Sequence, residues 1–168
     1  MGRGSDNFDL DRLGLSAGEG RRLDLTVGVD AFELAGQDYA PESAEVRLDV
    51  ARTTAGYALR LRTEVRLSGP CMRCLEDLGR GIEIDAREVD QPGGGEELDS
   101  PYVEGGTLDL RAWTRDALVL AMPAQIVCRE ECRGLCAVCG ENLNAAPEHR
   151  HEAERDPRWA ALDALKLD

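Results

Sequence analysis

The six cysteines of this chain fall in close pairs, Cys71-Met-Arg-Cys74, Cys128-Arg-Glu-Glu-Cys132 and Cys136-Ala-Val-Cys139-Gly140, and His149-Arg-His151 adds two imidazoles downstream. Thiolates two or three residues apart are the donor set of tetrahedral zinc, because both sulfurs of a short knuckle reach one ion at ~2.3 Å. Gly140 permits the tight turn that aims backbone N–H groups at thiolate sulfur. Eight donors complete two sites. The preferred pairing places Cys71, Cys74, Cys128 and Cys132 on one Zn2+ and Cys136, Cys139, His149 and His151 on a second. The four-thiolate site then carries surplus negative charge, with Arg73, Arg129 and Arg133 among its ligands to offset it, while the mixed site is neutral. A rival scheme holds a single zinc with Cys128, Cys132, Cys136 and Cys139 and leaves Cys71 and Cys74 free or oxidised. Neither scheme implies a catalytic zinc, which keeps one position open for water; here thiolates fill the shell. No residue is assigned a catalytic role. The metal is expected to act as a folding device, without which the 128–151 segment would be disordered.

Such ligands need elements to hold them. Leu23, Leu25, Val27 and Val29 share one face of a period-two segment, as do Val46, Leu48 and Val50, and then Tyr57, Leu59, Leu61, Thr63, Val65 and Leu67. Thr53-Thr-Ala-Gly56 fits a turn between the last two. Ile82, Ile84 and Ala86 alternate with Glu83, Asp85 and Arg87, so Cys71 and Cys74 are expected at the tip of an antiparallel hairpin. Residues 91–106, rich in glycine and acids, read as a loop. A helix is expected from Leu110 to Ala121, capped by Thr107 or Asp109, with Leu110, Trp113, Ala117, Leu120 and Ala121 as its apolar stripe, and Pro123 ends it. A last short helix opens at Asp156-Pro157 and carries Trp159, Leu162 and Leu165. The expected fold class is α+β: an antiparallel β-sheet with one packed helix and a C-terminal zinc-binding segment ending in a short helix. Residues 1–20 read as a lightly docked arm, 21–122 as the sheet and helix core, and 123–168 as the Cys/His module with the terminal helix.

Composition narrows the function. At 168 residues the chain has 20 Lys+Arg against 33 Asp+Glu, a net charge of −13, and only 4% aromatic residues, which disfavours both phosphate-driven binding and base-stacking platforms. No apolar run is long enough for a membrane span, and the start has no signal-peptide apolar region, so a cytoplasmic location is expected. In a reducing compartment, cysteines in this arrangement point to metal before disulfides. Arg60, Arg62 and Arg66 share the outward face of the strand over 57–67 and are the candidate RNA or partner contacts. Glu83 and Asp85 on the neighbouring strand are expected to neutralise them.

The segments Gly69-Pro-Cys-Met-Arg-Cys-Leu-Glu, Leu108-Asp-Leu, Leu118-Val-Leu-Ala-Met-Pro, Cys128-Arg-Glu-Glu-Cys-Arg-Gly-Leu-Cys-Ala-Val-Cys-Gly and Asp156-Pro-Arg-Trp together make the chain resemble the YceD family, the bacterial large ribosomal RNA subunit accumulation proteins. The resemblance runs from about residue 8 to the end. Cys71 and Cys74 match the family's first pair, and Cys128, Cys132, Cys136 and Cys139 match its second cluster. Where many members have Cys-x-Cys after a proline, this chain has Pro147-Glu-His149-Arg-His151, an exchange of thiol for imidazole that preserves a ligand pair. The resemblance implies a non-enzymatic role in producing or maintaining large-subunit rRNA. With the acidic charge, it leads to the expectation of a basic ribosomal protein or a pre-large-subunit particle as partner, with direct rRNA contact disfavoured and no membrane involved. The competing readings are a redox-sensitive zinc-thiolate protein and a zinc-ribbon nucleic-acid-binding module, which would want a basic stripe. A thioredoxin-type site is weaker, since Cys71-x-x-Cys74 lies between strands and not at the start of a helix.

Overall fold

The computed structural model describes residues 6–95 and 97–151. Alternating apolar residues build a mostly antiparallel β structure, and the strands follow in chain order: β1 (Asn7–Asp9), β2 (Gly20–Val27), β3 (Phe32–Leu34), β4 (Gln37–Pro41), β5 (Ala44–Arg52), β6 (Tyr57–Pro70), β7 (Asp77–Asp90), β8 (Val103–Glu104) and β9 (Thr107–Asp109). One helix, α1 (Leu110–Ala121), follows. The helix-plus-sheet composition agrees with the α+β expectation. The terminal helix expected from Asp156 lies outside the described residues.

The spine of the molecule is the β6–β7 hairpin, paired from Tyr57↔Asp90 to Pro70↔Asp77. On the other edge of β6 two strands share its length. β5 pairs with the first part, Arg52↔Tyr57 to Arg47↔Arg62, and β4 with the last part, Ala40↔Ser68 and Pro41↔Leu67. β2 extends the sheet beyond β5, and β3 extends it beyond β4. One face is apolar: Val46, Leu48, Val50, Leu59, Leu61, Val65, Leu67, Ile82 and Ile84 are buried. Helix α1 covers part of that face with Leu110, Trp113, Thr114, Ala117 and Leu118. The Asp109 carboxylate caps the helix by accepting from the Ala112 N–H at 2.9 Å.

The helix stripe differs from the sequence expectation. Leu120 is 86% exposed, whereas Thr114 and Leu118 are buried. At about 100° per residue the buried arc runs from Trp113 through Ala117, Leu110 and Thr114 to Leu118; Leu120 falls just outside its Trp113 edge, and Ala121, though inside the arc, is exposed at the helix end. Thr114 tolerates burial because its hydroxyl donates to the Leu110 carbonyl at 2.7 Å. The segment 91–106 also differs, since it ends in a hairpin between β8 and β9. Gly105 and Gly106 both have positive φ, as the two-residue hairpin turn demands. β1 adds to β9 as a third strand, and Leu10 just beyond it is fully buried. Among the described residues no helix is long and apolar enough to cross a membrane.

Where the spine approaches the cysteines, packing is tight. The buried Tyr39 donates its hydroxyl to the Pro70 carbonyl at 3.0 Å, immediately before Cys71. Its ring lies so close to the Gly69 backbone that a Cβ there would fall 2.5 Å from Tyr39 Cδ1 and 2.9 Å from the Asp38 carbonyl oxygen. Gly69→Ala is therefore expected to lower stability by about 1–3 kcal/mol, the range for overpacking a close contact. Chemical denaturation of the two proteins side by side measures it, and equal midpoints would show that the ring has room to move.

Candidate metal centres

The tip of the β6–β7 hairpin is a knuckle closed by its own backbone. Cys71 N–H donates to the Glu76 carbonyl at 2.8 Å and Leu75 N–H to the Cys71 carbonyl at 2.9 Å. The second Cys-x-x-Cys repeats this design: Cys136 N–H donates to the Glu141 carbonyl and Gly140 N–H to the Cys136 carbonyl, both at 2.8 Å. In each, the residue after the second cysteine takes a left-handed conformation, Leu75 at φ 61° and Gly140 at φ 76°. Glycine suits that backbone and leucine does not.

After α1, the extended Met122 before Pro123 turns the chain back toward the hairpin tip. Met72 N–H donates to the Ile126 carbonyl at 2.9 Å, and Ile126 N–H approaches the Met72 sulfur at 3.3 Å. With Ile126 fully buried, this places Cys128 and Cys132 against the tip. The result is a group of four sulfurs from Cys71, Cys74, Cys128 and Cys132, all within 4.8 Å of one another. Cys71 Sγ lies 3.8 Å from Cys132 Sγ, and Cys74 Sγ lies 3.7 Å from Cys128 Sγ. Four sulfurs ~2.3 Å from a common tetrahedral centre are ~3.8 Å apart, so the spacing fits one ion of zinc's size. The cysteines are free thiols, and three of the four are buried.

The sulfurs sit among donors that favour negative charge. Arg73 N–H and Cys128 N–H point at Cys71 Sγ at 3.4 and 3.3 Å. Burial pushes the Cys71 thiol up, but the amides of Cys74, Arg73 and Cys128 outweigh it and bring it down to about 6. Burial and the neighbouring thiols push Cys74 up to about 12, while an amide bond from Glu76 opposes them. Cys128 is raised chiefly by burial, and Cys132 is lowered chiefly by the Asn144 side chain. Four thiolates do not coexist in such a space without a counter-charge, which is what a bound dication supplies.

The remaining donors form a second group, Cys136, Cys139, His149 and His151, also within 4.8 Å. Cys139 Sγ is 3.2 Å from His149 Nε2 and 3.3 Å from His151 Nε2, and the two Nε2 atoms are 2.9 Å apart. Both imidazoles thus aim the same nitrogen at one point, their rings nearly perpendicular. Backbone N–H groups of Cys139 and Val138 bring Cys136 down to about 6. Unlike the first group, this one is partly open, with Cys139 and His151 exposed. Each group could hold a metal ion. Cys128 and Cys132 belong with the hairpin pair, and Cys136 and Cys139 with the histidines, so the single-site grouping of all four C-terminal cysteines is not the one the fold assembles.

The arginines sit apart, on the polar face of the sheet. Arg60 makes a two-pronged bond to Asp85, at 2.8 and 2.6 Å, and Arg62 pairs with Asp49 at 2.5 Å, which also holds Arg22. Glu83 lies opposite Glu64 in register and Arg66 opposite Gly81. Asp85 thus neutralises Arg60 as expected, but Arg62 turns to β5 for its partner, and among the described residues Arg66 makes no ion pair. Asn144, which is no metal donor by residue type, contacts Cys132 Sγ through its amide at 3.4 Å. An asparagine between a knuckle and two histidines was the available signal.

The geometry defines a class: an antiparallel β protein that gathers two four-donor groups of thiols and imidazoles at the end of its longest hairpin and along the segment after its helix. Within that class the chain belongs to the YceD family, since the model described as large ribosomal RNA subunit accumulation protein YceD matches residues 59–166, a stretch containing all eight donors. The chain is 32% identical over 165 residues to the uncharacterized protein Rv2926c of Mycobacterium tuberculosis, covering 92% of this chain and 78% of that one. It is 27% identical over 130 residues to the uncharacterized protein YlbN of Bacillus subtilis, covering 75% and 74%. A shorter match, 43% over 68 residues, links it to the uncharacterized protein ML1660 of Mycobacterium leprae, covering 40% and 31%. No solved structure matches the chain.

Because Leu75 holds a glycine-type conformation and is 53% exposed, Leu75→Gly is expected to relieve backbone strain with little loss of packing. A gain of about 0.5–1 kcal/mol follows from the left-handed penalty less the added chain entropy. A lower denaturation midpoint for the variant would mean that Leu75 contributes packing the exposure does not suggest.

Proposed function

We propose that this protein is a non-enzymatic ribosome-biogenesis factor that holds two structural zinc ions and supports accumulation of large-subunit rRNA by binding a basic ribosomal protein or a pre-large-subunit particle. The observation that carries the biological role is membership of the YceD family, described by large ribosomal RNA subunit accumulation. One feature supports the chemistry. The eight donors divide into two sets of four, so each ion would have a complete protein shell and no open coordination position. In the first set Cys71, Cys74, Cys128 and Cys132 would tie the hairpin tip to the chain leaving α1; in the second Cys136, Cys139, His149 and His151 would close the C-terminal loop.

The choice of a protein partner over bare RNA rests on charge. Two of the three outward arginines on β6 are committed to carboxylates of neighbouring strands, and the chain as a whole stands at −13. Phosphate binding works when lysine and arginine neutralise phosphates and release the nucleic acid's condensed counter-ions into solution, so a face whose arginines are largely paired already offers it little. An acidic surface instead attracts the basic extensions of ribosomal proteins and shields them until rRNA takes over.

Metal analysis of the purified protein is expected to give two zinc ions per chain, falling to one when His149→Ala and His151→Ala are combined. One zinc unaffected by that pair would remove the two-site reading. For the partner, the immobilised protein is presented separately with large-subunit ribosomal proteins and with rRNA fragments at physiological salt. Retention of a basic ribosomal protein is the expected result, and retention of RNA alone would overturn the assignment.

A further inference from the structure

Asn144 touches the first donor group from the turn that leads to the histidines of the second, and both polar atoms of its side chain are used. Its side-chain amide N–H donates to Cys132 Sγ at 3.4 Å and to Asn142 Oδ1 at 2.9 Å. Its side-chain oxygen accepts from Arg133 N–H at 2.9 Å, and its own backbone N–H donates to Asn142 Oδ1 at 2.9 Å. Cys132 belongs to the first group. The turn that carries Asn144 belongs mechanically to the second: Ala145 and Ala146 N–H both donate to the Asn142 carbonyl at 3.0 Å, and His149 N–H donates to the Ala146 carbonyl at 3.0 Å.

The same turn is also docked on the first knuckle. Leu143 N–H donates to the Gly134 carbonyl at 3.0 Å, Leu135 pairs with Asn142 as an isolated bridge, and Leu135 N–H donates to the Arg73 carbonyl at 3.1 Å. Gly134 makes that docking possible. Its φ is +74°, and a Cβ there would lie 2.9 Å from the Arg73 oxygen. A continuous set of hydrogen bonds therefore runs from His149 through Ala146, Asn142 and Asn144 to the sulfur of Cys132.

We propose that Asn144 is a positioning residue that couples the two metal sites, so that an ion held by Cys136, Cys139, His149 and His151 strengthens binding of the ion held by Cys71, Cys74, Cys128 and Cys132. The inference rests on the metal reading above. A hydrogen bond to a coordinating sulfur orients it and disperses its charge, and loss of such an outer partner typically costs about 10–100-fold in metal affinity. Closing the second site holds the 142–149 turn, and with it the amide, at the distance that the first site uses. By linkage the effect runs both ways: filling the first site must tighten the second by the same factor.

Cobalt(II), titrated anaerobically into the metal-free full-length protein, is the probe, since tetrathiolate and mixed thiolate–imidazole cobalt differ in absorption. Asn144→Asp keeps the acceptor oxygen for Arg133 N–H but replaces the donor facing Cys132 with an oxygen. It is expected to bind two cobalt ions still, with the tetrathiolate site weakened by roughly 10–100-fold, the usual cost of losing an outer-shell partner. The His149→Ala, His151→Ala protein, in which Asn144 and all four sulfurs of the first site remain, is expected to show a weakened tetrathiolate site as well. Unchanged tetrathiolate affinity in Asn144→Asp would overturn the positioning role, and unchanged affinity in the double histidine variant would overturn the coupling. Should Asn144→Asp fail to fold by circular dichroism, the histidine variant decides the coupling alone. No cobalt binding to the unaltered protein would overturn the metal reading itself, a result distinct from two ions bound independently.

Discussion

Two sulfurs from the tip of the long β6–β7 hairpin meet two sulfurs from the chain that leaves the helix, and the rest of the C-terminal architecture is arranged around that meeting. The hairpin tip and the segment after Pro123 join the core through only a few apolar side chains, Ile126 fully buried and Val127 and Leu135 partly so. The segment's fixed points include the buried Ile126, the bonds of Ile126 with Met72, the bond from Leu135 N–H to the Arg73 carbonyl, and the sulfurs. The four thiols converge at the spacing of a single tetrahedral ion, in surroundings that hold two of them down and push two up. Such a group is internally opposed, and a cation that entered it would relieve the opposition and couple metal binding to folding.

The two knuckles show how one local design serves two settings. Each closes with the same pair of backbone hydrogen bonds and a left-handed residue after its second cysteine. The first is continuous with strands on both sides and is anchored by Tyr39 at Pro70. The second has no sheet to rest on, and leans on the first through Leu135, Gly134 and Asn144. Exposure follows from this arrangement: the group with sheet support is mostly buried, and the dependent one is partly open.

The sheet's polar face follows a different constraint. Long strands that bury one side must present charges on the other, and β2, β5, β6 and β7 do so in complementary pairs: Arg22 and Arg62 on Asp49, Arg47 on Asp24, Arg60 on Asp85. Exposed pairs of this kind add little stability individually. Their consequence is electrostatic, because a face on which these arginines are already matched leaves the acidic remainder of the chain to set most of the long-range field.

The convergence of the candidate donors into groups of four, the alternation of β2, β5, β6 and β7, the place of Cys71 and Cys74 at a hairpin tip and the Asp109 cap were all legible in the residues, since each rests on residue chemistry or on period within a few positions of the chain. The short β3–β4 and β8–β9 hairpins were not, because two or three residues carry no measurable period, and only the positive-φ pairs Ala35-Gly36 and Gly105-Gly106 marked them. The buried stripe of α1 was misplaced by one margin, since Thr114 looks polar until its hydroxyl finds the Leu110 carbonyl. What tertiary structure alone decided is how distant partners are matched: which carboxylate takes Arg62, how the eight donors divide, and that an asparagine reaches the sulfur of Cys132. Those outcomes depend on strand register and on where the chain returns after the helix, distances through space that spacing along the chain does not encode.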